Sequence, residues 1–88
     1  MTFGEAITLL KAGHYVQRAG WNGKGMFLTY VPASYVEALR EGSPYEQAGL
    51  TEVQIDAHID MYTAGGTMQP GWLASQADML ATDWQEAV

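Results

Sequence analysis

Residues with the means to do chemistry gather in three stretches. In the first, Gly20-Trp21-Asn22-Gly23-Lys24-Gly25, an indole and one of only four basic side chains sit among three glycines. A nucleoside-triphosphate loop needs Gly-Lys-Ser/Thr leading into a helix, whereas Lys24 leads through Gly25 into a strand-forming run, so phosphate hydrolysis is excluded on spacing. The turn can still bring backbone N–H groups close to a ligand, with Arg18 and Lys24 as cations and Trp21 as a flat apolar face. Equally, Asn22-Gly23 turns the chain and Trp21 covers core.

The second stretch is Asp56-Ala57-His58-Ile59-Asp60, whose polar residues alternate and on a strand would share one face, as metal ligands or an acid/base pair do. A solvated strand face gives the same pattern, and no further His or Cys lies near, so no metal is expected. In the third, Ser75 and Asp78 form a capping box just after Trp72, and the helix they open presents free N–H groups to a phosphate or a carboxylate, or is simply a capped helix. No serine sits in a Gly-x-Ser-x-Gly elbow, and neither histidine suggests a triad, so no catalytic residue is expected.

The elements that must position these groups are short. Thr2 and Glu5 make a capping box, and Phe3, Ala6, Ile7 and Leu10 repeat at helical spacing, which predicts a helix over 3–12 closed by Gly13 in a left-handed conformation. Runs at 14–18 and 26–31 predict a hairpin turned at Asn22-Gly23. Ser34 and Glu37 predict a second helix of about two turns ending before Gly42, followed by a connector over 42–50 with at most one helical turn. Thr51 and Gln54 predict a helical turn before a strand over 58–63. Gly65-Gly66 then turns into a short strand at 67–69, the Ser75 helix follows, and Asp83-Trp84 begins a final extended segment whose tryptophan packs in the core or a subunit interface. Short helices on antiparallel hairpins make a small single α+β domain spanning 1–88.

Composition narrows the function classes. A chain of 88 residues without cysteine has no disulfide or thiolate-zinc reinforcement, so its modest core gains from self-association. No run is long and apolar enough to span a bilayer and no signal pattern opens the chain, which predicts a soluble protein with no membrane partner. Residues 6–36 hold Lys11, Arg18 and Lys24 and no acid, while the rest hold all ten acids and Arg40, giving a net charge of −6. Such a surface rejects nucleic-acid polymers, yet its positive third suits a small anion.

Three blocks carry a more specific signal: Phe3-Gly4-Glu5-Ala6, Arg18 through Met26, and Trp72 through Trp84. In order and spacing they resemble the second Thoeris anti-defence family of short phage proteins, over roughly half the chain. The resemblance implies a small α+β homotetramer acting in the host cytoplasm without a cofactor. It implies a sponge that binds, without degrading it, the cyclic ADP-ribose isomer (gcADPR) made by a bacterial TIR-domain protein; some relatives also bind cyclic dinucleotides at separate sites. On that reading Trp21 and Trp72 supply aromatic platforms, Asn22, Ser75 and Asp78 polar partners, and Arg18 and Lys24 anion contacts, in clefts where the Trp21 block of one chain meets the Trp72 block of another. Segment 32–55 matches no motif of the family, which leaves ligand choice open. The competing classes are an enzyme that destroys the same signal and a protein-interaction module anchored by Trp21 and Trp72.

Overall fold

Helix α1 (Phe3–Lys11) forms where the sequence places it, because the Thr2 hydroxyl accepts the Glu5 N–H while the Glu5 carboxylate accepts the Thr2 N–H. Gly13 closes it at φ +94°. The computed structural model describes residues 1–21 and 24–87; the expected Asn22-Gly23 turn lies outside them. Chain order then runs β1 (Val16–Arg18), a 3₁₀ turn (Ala19–Trp21), β2 (Phe27–Val31), β3 (Ser34–Val36), α2 (Pro44–Gln47), β4 (Val53–Ile55), β5 (His58–Tyr62), β6 (Met68–Gln69), α3 (Gln76–Leu80) and β7 (Trp84–Glu86).

Five strands build one antiparallel sheet in the order β6-β5-β2-β1-β7. Alternation along the strands decides what the sheet buries. Leu28 and Tyr30 pair with Met61 and Ile59, and all four pack into or against the core beneath α1, whereas Phe27 and Tyr62 stack on each other with ring centroids 5.0 Å apart. The fully enclosed residues are Ala6 and Leu10 from α1 together with Val16, Leu28 and Trp84 from three strands. Trp84 anchors this group, its indole N–H donating to the Asp78 carbonyl at 2.9 Å. Its predicted place in the core is what the structure shows.

Two expectations fail, and for the same reason. Ser34 does not cap a helix: Ser34–Val36 is a strand, paired with Val53–Ile55 in a separate two-stranded sheet. The expected helical turn from Thr51 to Gln54 is likewise absent, since Val53–Ile55 is the other half of that ribbon. A short helix must nucleate unaided, whereas Tyr35 and Val36, both strand formers, find partners that satisfy their backbone groups. The ribbon and α2 form an arm that contributes no residue to the buried core. It stretches the molecule to 44 × 26 × 24 Å, with a radius of gyration of 15.5 Å, against about 12 Å expected of a globular chain this long. Among the described residues no helix is long and apolar enough to cross a membrane.

Candidate functional site

Two of the chemistry-bearing stretches meet within a single chain. Strand β1 pairs with β7 so that Arg18 lies opposite Trp84, which brings its guanidinium over the α3 segment. Arg18 donates from Nε to Asp83 Oδ1 and from Nη1 to Asp78 Oδ1, both at 2.9 Å. Asp83 also accepts the Gly20 N–H at 2.9 Å, so it holds the entry to the glycine turn. A Cβ on Gly20 would stand 3.0 Å from that same carboxylate oxygen, a contact that explains a glycine here.

The electrostatics follow from these contacts. Hydrogen bonds from Arg18 and from the Gly20 N–H hold the Asp83 carboxyl below the ordinary aspartate range. Burial pushes the Asp78 carboxyl up, but bonds from the Ser75 N–H and hydroxyl and from Arg18 together outweigh it and leave it lowered. The two carboxylates raise Arg18 in turn, so the guanidinium stays charged. Ser75, Asp78 and Arg18 thus spend hydrogen bonds on one another. The first turn of α3, expected as an anion contact, already faces the chain's own Asp78 carboxylate.

Both tryptophans expected as platforms are half-buried and meet Trp84 edge-on, Trp21 with ring centroids 5.5 Å apart and Trp72 with 6.2 Å. Lys24 is exposed in the turn. Asn22 lies outside the described residues.

One concave feature formed by the described residues lies on the Trp72 side. A cleft of ≈ 590 Å³ opens between α1 and the chain after β6. Ile7, Leu10, Tyr30 and Trp72 give it apolar walls, and Lys11 and His58 give it nitrogen-bearing groups. Its far wall is fixed by two backbone donors: the Trp72 N–H reaches the Ile59 carbonyl at 2.7 Å, and the Gly71 N–H reaches Asp60 Oδ1 at 3.1 Å. Gly71 makes this turn at φ +75°, a conformation suited to glycine.

Of the sequence-predicted site residues, Trp72 lines this cleft; Arg18, Ser75 and Asp78 form the network, and Trp21 leans on the core. Sequence reasoning missed Lys11 and Tyr30, and met His58 only as a metal or acid/base candidate. One signal was available: Ile7, Leu10 and Lys11 share a helix face at i, i+3 and i+4. Asp56 gives only a backbone carbonyl to His58, and among the described residues no group of three or more His, Cys, Asp or Glu is placed to hold a metal.

The family described as the Thoeris anti-defense 2-like domain matches residues 1–87. The protein named Thoeris anti-defense 2 of Bacillus phage SP01 is 39% identical over 84 residues, covering 96% of this chain and 91% of that protein.

Proposed function

The chain belongs to the Thoeris anti-defense 2-like family, and from that premise we propose that it is a phage sponge that binds a cyclic ADP-ribose isomer, gcADPR, in the host cytoplasm without degrading it. The observation that carries the reading is Trp72 in the wall of an open cleft beside Lys11. At ≈ 590 Å³ the cleft falls within the range of about 300–1,000 Å³ usual for small-molecule sites. An adenine ring would lie against Trp72, and the diphosphate would find a cation. From another copy, Trp21, Asn22 and Lys24 would form a further wall, and Arg18, Ser75 and Asp78 would frame the two blocks.

Sequestration needs affinity and no reaction. Stacking of about 1–3 kcal/mol per ring and charged hydrogen bonds of about 1.5–3 kcal/mol each bring nanomolar binding, about −12 kcal/mol, within reach after association costs. The protein is incubated with gcADPR, denatured by heat, and the released compound analysed. Intact gcADPR supports the sponge, and a cleaved product overturns it.

The same proposal includes a homotetramer. Its support is the arm, where Tyr35, Tyr45 and Leu50 stay exposed and no residue is fully buried. A two-stranded ribbon is marginal in water without something to pack on, and another copy supplies that. Light scattering that gives a strict monomer at micromolar concentration overturns this part.

A further inference from the structure

The cleft beside Trp72 has a charge character opposite to that of the chain. The sequence holds ten acids against four Lys and Arg, yet none of those acids lines the cleft, whereas Lys11 does. Helix α1 accounts for its position. Ile7, Leu10 and Lys11 fall on one face, which brings the Lys11 side chain to the cleft.

His58 enters from β5, and its geometry restricts its chemistry. Nδ1 lies 2.8 Å from the Asp56 carbonyl oxygen, which can only accept, so Nδ1 carries a hydrogen. In the neutral ring Nε2 is then an acceptor, 3.4 Å from a carboxylate oxygen of Asp60. Only the imidazolium has a second N–H, and with it the contact becomes an ion pair. Asp60 is held in place, being 8% exposed and accepting the Gly71 N–H.

The other groups facing the cleft are Lys11 from α1 and the Tyr30 phenol from β2; Gly71, Trp72 and Leu73 add nothing that titrates. Lys11 opposes a second positive charge and Asp60 supports it. An incoming diphosphate would add negative charge beside the Lys11 ammonium and the His58 ring.

We infer that the Lys11–His58 end of the cleft receives the phosphate groups of a ring-bearing phosphate ester whose ring lies on Trp72, with His58 binding as the imidazolium. This rests on the reading of the cleft as the nucleotide site. It adds a residue that senses ligand charge, and it makes capture depend on pH.

Titration calorimetry with gcADPR between about pH 6 and 8.5, in buffers of different ionisation enthalpy, tests it, because diester phosphates stay ionised over that range and any proton taken up goes to the protein. Wild-type protein is expected to take up protons on binding near neutral pH and to bind about tenfold or more tightly at the acid end, the size of one charge-assisted hydrogen bond. His58→Gln should lose both the uptake and the pH dependence, and Lys11→Met should weaken binding at every pH. Wild-type binding without proton uptake, or uptake that survives in His58→Gln, overturns the inference and leaves the sponge standing. No binding of gcADPR to wild type overturns both. If His58→Gln does not fold, His58→Asn takes its place, and a wild type that binds without proton uptake overturns the inference without either variant.

Discussion

Arg18 and Asp78, 60 residues apart in the chain, meet through a 2.9 Å bond from Nη1 to Oδ1, while Nε of the same guanidinium holds Asp83. One side chain thereby ties the end of β1 to the middle of α3 and to the residue before β7. It works because a planar fork has donors for two carboxylates at once, which a lysine ammonium on a flexible stem does not reproduce. The two tryptophan-bearing blocks lie against one core partly through this fork.

The first prediction concerns acid. The Asp78 and Asp83 carboxyls titrate below the ordinary range in the folded chain, and so does Glu5, which the Thr2 N–H and hydroxyl hold down. A folded value below the unfolded one means that the unfolded chain binds more protons, so the stabilisation is present above the unfolded carboxylate range near about 4 and is lost as pH falls through the lowered folded values. Urea midpoints should be flat from about pH 5 to 7 and drop below about pH 4. Asp78→Asn should lower the neutral-pH midpoint and flatten the acid drop; an unchanged acid slope in that variant counts against the assignment.

A second prediction separates the tryptophans. Trp84 is 2% exposed and touches Phe3, Trp21 and Trp72, so Trp84→Ala should cost about 3–5 kcal/mol. That approaches the whole stability of so small a domain, and the variant should lose its cooperative melt by circular dichroism. Trp72 is half-buried at a cleft wall, so Trp72→Ala should keep a cooperative melt and weaken gcADPR binding about tenfold or more by calorimetry. A Trp72→Ala chain that binds normally removes the platform.

What the sequence made legible divides by range. The Thr2/Glu5 and Ser75/Asp78 boxes form as read, because both partners lie three residues apart and the bonds close locally. Ser34 and Glu37 carry the same letters and become a strand, because Val36 pairs with Val53 and Tyr35 with Gln54, a contact that no local pattern encodes. The site divides in the same way. Trp72 stood out by type, but the cleft joins residues 11, 58 and 72 through the β2–β5 pairing and the Asp60–Gly71 bond. Ser75 and Asp78 read as polar partners of a ligand and Arg18 as an anion contact, and in the structure Asp78 bonds both of the others.

The third prediction tests the grip of Asp83 on the glycine turn. Gly20→Ala places a Cβ 3.0 Å from the Asp83 oxygen that accepts the Gly20 N–H. The carboxylate must shift, which weakens its bond to Arg18, so the melting temperature should fall. In an Asp83→Ala background the same substitution meets no carboxylate and should cost much less, and the difference across the double-mutant cycle measures the coupling. Equal costs in the two backgrounds would mean that Gly20 serves only the backbone of the turn.

The last prediction separates the arm from the body. Val31 and His58 are partners in the β2–β5 ladder, so the chain leaves the main sheet and returns to it at neighbouring positions. Replacing residues 32–57 with Asn-Gly should therefore close β2 and β5 as a two-residue hairpin in a favoured turn. No buried core residue lies in the removed segment, so the shortened chain should still melt cooperatively. Its association should fall below the tetramer by light scattering, because the exposed Tyr35, Tyr45 and Leu50 go with the arm. A shortened chain that remains tetrameric places the association surface on the body, and one that fails to fold shows that the ribbon supports the sheet despite contributing nothing to its core.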